Sequence, residues 1–535
     1  MSRTLLIGLD GATFTVLDRL LAQGVMPNLR AIVARGVRAS LRSIMPPLTP
    51  PGWTSMITGK RPGRHGVFDF FQKESPENQY FRLATARDIH SETVWSLASR
   101  QDRRVVVLNY PVTFPAPAVN GCIVPGGWMP WRQLRLGCYP SGLFDRLKSL
   151  PSFNPREMAL DMELEEKAVE GCAAEEYAHW VELHIRRERR WLDIARYLVT
   201  EEDPDFLAIV FDGVDKIQHL CWRFLDPACW SDPSSEWELD MRRLCEGYFR
   251  ELDIIIGELA AMAGPDGSVV LASDHGFGPA SEVFYLNTWL ERQGYLTWLP
   301  SAPVDAGDEA RVGFSRIAHH LLELDWDKTV AYAATPSGQG IHLVTHDPNG
   351  RRILSTGEYE RLREEIAGQL TTVRHPVTGE RVVAEVWTSD RAFPGPYQAL
   401  GPDISIIPTG GAGVSILRGD AIVKARLVTG GSHRWEGVFV AAGPGIRQGS
   451  ELDELSIVDV APTLLYLLDV PVPDDLDGRL PAEALDPRHL ERQPLSLAAA
   501  GSVVEDVDAA DGDLGLDPES EDLIVDRLRA LGYVE

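Results

Sequence analysis

Four short runs constrain this chain more than any other feature: TLLIGLD (residues 4–10), RRVVVLNYP (103–111), DFLAIVFDG (205–213) and GSVVLASDHG (267–276). Each is apolar without alternation and rich in β-branched residues, the pattern of a strand buried on both faces. Helical patterns lie between them, at residues 14–23, 91–100 and 242–262. Strands alternating with helices predict an α/β fold with a largely parallel central sheet flanked by helices. EGVFVAAGPGI (436–446) predicts one more strand late in the chain.

The expected main domain runs over residues 1–490, with two insertions. Residues from about 134 to 199 are rich in Glu, Arg and Leu and read as a helical insertion. Residues from about 284 to 412 mix helices and short strands and read as a cap-like insertion, in which Trp298, Trp326, Tyr332 and Tyr397 would supply stacking surface. Residues 495–518 are acidic and rich in Ala, Gly and Asp, as in a flexible linker, and 519–535 read as a short C-terminal helix.

The formal net charge of −26 argues against a nucleic-acid polymer or an anionic membrane as partner. A small anionic substrate stays open, because a local metal site reverses the field. No run of 18 apolar residues is present, so no membrane span is expected, and the N-terminal apolar run is too short for a signal peptide. The six cysteines (Cys122, Cys138, Cys172, Cys221, Cys229 and Cys245) lack C-x-x-C spacing and suit buried thiols in a reducing cytoplasm. The oligomeric state is left open.

In open α/β sheets ligands bind beyond the carboxyl ends of the strands. Asp10 ends the first run, Asp212 the third, and Asp274 with His275 the fourth. Carboxylates gathered at neighbouring strand ends repel one another without a cation between them. Asp215 and His219 stand four apart and would share one face of a helix. His433 stands in a glycine-flanked segment, TGGSHRWEGV. Taken singly, these residues also read as a surface helix pair, a cap beside an exposed His, and a loop His. Taken together they predict a site for divalent ions, zinc by donor type, with manganese as the alternative.

Thr49 lies between two proline pairs in MPPLTPPGW. Proline fixes φ and pushes the preceding residue out of the helical region. Thr49 is therefore expected on a rigid turn, outside any helix, with a helix from about Thr54. Two ions about 3.5–4 Å apart suit phosphoryl chemistry, one activating a hydroxyl and the other holding the departing or attacking oxygen. A proline-stiffened turn would hold Thr49 where such ions need it.

The order Asp10, Thr49, Asp215, His219, Asp274, His275, His433 resembles the alkaline phosphatase superfamily, and within it the type I phosphodiesterase/nucleotide pyrophosphatase family. The segments TSMITGKRPGRHGV, ASDHGF and SIVDVAPTLLYLLDVPVPDDLDGR resemble that family too. The resemblance implies an alkaline-phosphatase-like fold. It also implies one ion on Asp215, His219 and His433, a second on Asp10, Asp274, His275 and the Thr49 oxygen, and a covalent phospho-Thr49. Asp212 would be structural. The sulfatases of the superfamily need a C/S-x-P-x-R setting that TPPGW does not provide.

Two departures stand out. The family's backbone N–H donor after the nucleophile falls on Pro50, which has none, and its asparagine 21 residues past the nucleophile falls on Phe70. Lys60, Arg64, His65 and Lys216 are candidates to bind substrate in their place. The expected protein is a cytoplasmic two-metal phosphohydrolase acting on a small phosphodiester or phosphomonoester. A phosphotransferase or phosphomutase, and a non-catalytic metal-stabilised binding protein, are the alternatives.

Overall fold

The first apolar run becomes β1 (Thr4–Leu9), a fully buried strand inside an eight-stranded sheet. The computed structural model describes residues 3–126, 131–158, 173–306, 320–335, 337, 339–347 and 350–499. After β1 the chain builds β2 (Val37–Arg42), β3 (Val105–Tyr110), β4 (Gly121–Pro125), β5 (Phe206–Phe211) and β6 (Ser268–Ala272). The longer β7 (Gly276–Tyr285) and β8 (Val423–Arg434) follow, then β9 (Glu436–Ala442) and β10 (Ser450–Ser456). The helices that matter for the site are α1 (Phe14–Ala22), α2 (Thr49–Thr58), α3 (Ala174–Glu202), α4 (Gly213–Leu225) and α5 (Glu236–Met262).

The sheet order is β10-β2-β9-β6-β1-β5-β3-β4. β1 pairs in parallel with β5 and β6, and β3 in parallel with β4 and β5. Only β9 is reversed, pairing antiparallel with both β6 and β2. The architecture is thus the expected α/β sheet, largely parallel and flanked by helices. Thr4 aligns with Phe206 and with Ser268, so the three central strands end level and deliver Asp10, Asp212 and Asp274 to one edge.

Successive residues of β1 feed opposite apolar layers. Leu5, Ile7 and Leu9 join α1, α3 and α5 through Val16, Trp191 and Ile256. Leu6 joins the other layer, with Trp53, Met56 and Ile57 of α2. Burying each such side chain stabilises the fold by roughly 1.5–3 kcal/mol, which anchors the strand ends that carry the acids.

Two compact units emerge. Within the described positions the first comprises residues 3–67, 84–278 and 430–499, and the second residues 68–83 and 279–429. The first contains the eight-stranded sheet. The second has its own four-stranded antiparallel sheet, formed by Ala331–Tyr332, Gly340–Leu343, Ile404–Pro408 and Val383–Thr388, with helix Thr356–Leu370. Trp298 and Tyr332, expected as stacking surface, are instead 5% and 1% exposed inside this unit's core, with Trp326 packed against it. Tyr397 is half-buried. These rings are the largest apolar groups available to a small unit, and its core takes them up.

At the C-terminus, Leu497–Ala498 pairs in parallel with Val472–Pro473, so a strand occupies the start of the expected linker. The rest of that linker and the expected C-terminal helix lie outside the described residues. Among the described residues no helix is long and apolar enough to cross a membrane. Cys122, Cys138, Cys221 and Cys245 are buried free thiols, and Cys229 is a half-buried one.

Candidate active site

α2 begins at Thr49 itself, five residues earlier than expected. Leu48 is its N-cap, extended at φ −145°, ψ 145°. The prolines do not keep Thr49 out of the helix, because Pro50 and Pro51 sit in the first turn, where backbone N–H groups have no intrahelical partner to lose. The first N–H bond is Gly52 to Leu48 O at 2.8 Å, and Gly59, at φ 66°, closes the helix. Thr49 is 2% exposed, and its Oγ1 lies 3.5 Å from His275 Nε2.

Two groups of ligand-type atoms converge in the first unit. Asp10, Asp274 and His275 form one, and Asp215, His219 and His433 the other, with the atoms of each group within 4.8 Å of one another. The first group is 0–1% exposed. The second is more open, its side chains 13–26% exposed. Asp215 and His219 share one face of α4, as their spacing predicts. His433 lies on β8, not in a loop: the flanking glycines TGG continue as strand up to Arg434.

The three histidines are oriented alike. His219 Nδ1 meets Gly431 O at 3.2 Å, His433 Nδ1 meets Pro47 O at 3.0 Å, and His275 Nδ1 meets Gly276 O at 3.0 Å. A carbonyl on Nδ1 fixes the proton there and turns each Nε2 lone pair inward, the usual support of a metal-binding imidazole. His433 Nε2 and His219 Nε2 lie 3.3 Å and 3.4 Å from Asp215 Oδ1. His275 Nε2 lies 3.3 Å from Asp274 Oδ2 and 3.6 Å from Asp10 Oδ1.

Those same oxygens, Asp10 Oδ1, Asp215 Oδ1 and Asp274 Oδ2, are buried with no hydrogen-bond partner. Such atoms are costly unless something satisfies them. Burial and the neighbouring carboxylates of Asp274 and Asp215 push Asp10 well above the usual carboxylate range. Burial also raises Asp274, to about 7, against the Gly11 N–H bond that lowers it. For Asp215 burial works upward too, but His219 and His433 outweigh it and hold it well below. Burial, with His433 beside it, holds His275 well below the ordinary imidazole value. Imidazole Nε2 atoms facing unsatisfied carboxylate oxygens are the donor set of a divalent cation, and the residues fit one in each group.

Other side chains tune the acids and were not foreseen from the sequence. Trp53 Nε1 donates to Asp10 Oδ2 at 3.4 Å, and Gly11 N to Asp274 Oδ1 at 3.1 Å. Gln218 Nε2 holds Gly11 O at 2.7 Å, linking α4 to that turn. Gly11 adopts φ 65°, and a Cβ there would lie 3.2 Å from Asp215 Oδ1. The four-residue spacing of Thr49 and Trp53 would have revealed the indole, had the helix been expected to start at Thr49.

The weaker candidates are engaged elsewhere. Lys60 pairs with Asp475, and Arg64 with Asp475 at 3.0 Å and Asp477 at 2.9 Å. His65 is fully buried, and burial pushes it down to about 3. Its Nδ1 accepts from Val67 N at 3.1 Å, so Nε2 donates to Ser55 Oγ at 2.9 Å. Lys216 is 4% exposed and faces Asp212 at 3.6 Å. Asp212 is also held by Asn109 Nδ2 at 3.2 Å and Arg187 Nη2 at 3.3 Å.

A largely parallel sheet with two acid–histidine groups at its carboxyl edge, beside a buried threonine, defines a metal-dependent phosphoester hydrolase. The model of the type I phosphodiesterase/nucleotide pyrophosphatase family matches residues 4–433, and the chain belongs to that family. No curated protein matches it. Among solved structures, murine ectonucleotide pyrophosphatase/phosphodiesterase 5 is 13% identical, covering 90% of this chain and 100% of its own at a TM-score of 0.53. An inactive variant of the same murine protein, in complex with AMP, matches at 13% identity over 91% and 100%, TM-score 0.52. Phosphonoacetate hydrolase from Sinorhizobium meliloti 1021, in complex with phosphonoformate, is 16% identical over 88% and 95%, TM-score 0.50. At these identities the likeness concerns the fold.

Proposed function

We propose that this chain hydrolyses a small phosphate ester through a covalent phospho-Thr49. The observation that carries the reading is the set of three unsatisfied buried carboxylate oxygens facing imidazole Nε2 atoms, with the Thr49 hydroxyl beside one of them. Asp215, His219 and His433 would hold one divalent ion, and Asp10, Asp274, His275 and the Thr49 oxygen a second. Bound there, the ions would offset charge at phosphorus and favour ionisation of the Thr49 hydroxyl. Zinc suits these nitrogen and carboxylate donors, and manganese is the alternative. The free thiols support a reducing, cytoplasmic setting.

Thr49 Oγ1 loses its proton and attacks phosphorus, the ester P–O bond breaks, and the leaving alcohol takes a proton. Water then attacks phospho-Thr49, freeing phosphate or a phosphomonoester and restoring the hydroxyl. Pro50 contributes no N–H to the phosphoryl oxygens, and Pro51 none either. That supports a preference for activated aryl esters over nucleotide diesters.

The test has two arms on metal-reconstituted protein. Acid quenching with labelled substrate should trap phosphothreonine at residue 49. Thr49→Ala should lose the label and most turnover, and Thr49→Ser should keep part of both. kcat/KM should then be measured for p-nitrophenyl mono- and diesters, the matching sulfate, phosphonoacetate and a dinucleoside polyphosphate. Near-native turnover in Thr49→Ala would end the covalent mechanism. A wide lead for the dinucleoside polyphosphate would end the substrate reading.

A further inference from the structure

We infer that Glu188, on α3, is a positioning residue for the Asp215–His219–His433 group, acting as a cap supplied in trans to α4; this rests on the metal role proposed above for that group. α4 carries Asp215 in its first turn and His219 one turn later. A helix start leaves its first N–H groups without partners, and a side chain at the N-cap normally takes one. The residue at that position is Asp212, and its side chain makes no cap bond. It is committed to Asn109, Arg187 and Lys216. The first helical N–H, that of Gly213, goes instead to Glu188 Oε1 at 3.0 Å.

The same oxygen accepts the Tyr248 hydroxyl at 3.0 Å, so one atom joins α3, α4 and α5. Glu188 is 2% and Tyr248 1% exposed. Trp180 Nε1 adds a second α3–α4 bond, to Lys216 O at 3.2 Å. The approach needs glycine at 213: a Cβ there would lie 2.3 Å from Glu188 Oε1 and 2.7 Å from Tyr248 Oη. Burial first, then Asp212, pushes Glu188 up to about 8. At neutral pH it is mostly the uncharged acid, with Oε1 accepting both bonds and Oε2 unpartnered, so a glutamine keeps the acceptor that caps the helix. Without this cap the first turn of α4 frays, and the ligand that suffers is Asp215.

The experiment measures metal affinity by competition titration, with kcat/KM across metal concentration. Glu188→Ala should weaken one of two ions by about 10–100-fold, the usual effect of removing a group behind a metal ligand, and leave the other. Its lost activity should return at high metal concentration. Glu188→Gln should restore most of the affinity. If Glu188→Ala does not fold, Gly213→Ala, which drives the carboxyl off the helix end, should show the same pattern. His219→Ala serves as the reference and should lose one ion outright. If His219→Ala loses an ion while the Glu188 and Gly213 variants bind both as tightly as wild type, the positioning role is wrong and the metal reading stands. If His219→Ala keeps both ions, both ideas fall.

Discussion

Replacing Gly52 with alanine separates the packing of α2 from the chemistry of Thr49. Gly52 lies in the first turn of α2, and a Cβ built on it would meet Asp274 Cβ at 3.0 Å and Asp274 O at 3.1 Å. Ordinary contact begins near 3.4 Å, so something must yield by a few tenths of an ångström. The Asp274 carbonyl is already held by Ser43 Oγ, so the start of α2 is the part that gives. Helix propensity favours alanine over glycine by about 1 kcal/mol, while overpacking costs about 1–3 kcal/mol. The net change in stability should therefore stay within about 2 kcal/mol. The rate is more sensitive: a misplacement of about 1 Å costs on the order of 100-fold, so a few tenths should cost about fivefold in kcat. The assay is kcat on an activated aryl ester at saturating metal, with Tm and metal content measured on the same sample. A kcat equal to wild type, at equal metal content, would refute the idea that α2 sets the position of Thr49 against Asp274 and His275.

His433→Ala should lower the metal content by one ion per chain and leave the other in place, since His433 joins only one group; elemental analysis decides it. Trp53→Phe should cost about 1–3 kcal/mol from the lost core volume and weaken the ion at Asp10 by about 10-fold, read by thermal denaturation and competition titration. Glu188 binds its proton more tightly folded, at about 8, than at its ordinary 4.5. Its stabilisation is complete below the lower value and is lost as pH rises through the upper one, so wild-type stability should fall relative to Glu188→Gln between those values. Denaturant titrations across that range check the sign.

The central strands were legible because burial on both faces writes itself into unbroken apolar runs. β2 was not, since VRASLR places arginines on a half-exposed face and alternates. β10, SELDELS, is an edge strand whose acids conceal it while guarding the edge. The reversal of β9 has no local signature at all. The seven expected metal-site residues were readable only one short motif at a time, as strand ends, a helix pair, a glycine-flanked His and a proline-flanked Thr, and the fold brings six of them into two groups, with Thr49 beside His275. The pairing of Lys60 and Arg64 with Asp475 was not readable, because more than four hundred residues separate the partners. Glu188 was hidden for another reason: HIRRERRW within α3 reads as a solvated charged face, and only the packed helices show it buried.

Four of the six residues from Pro46 to Pro51 are prolines, and Thr49 is one of the two that are not. Each proline removes conformations from the unfolded chain, about 0.4–1 kcal/mol of entropy that folding no longer has to overcome, or about 2–4 kcal/mol for the four together. Part of the order of this segment is thus built into its covalent structure, and its burial against the sheet supplies the rest. A hydroxyl held that way does not wait for ions or substrate to freeze its backbone. Its amides should exchange as slowly in chelator-treated protein as in the metal-loaded form, even where the neighbouring acid–histidine groups loosen.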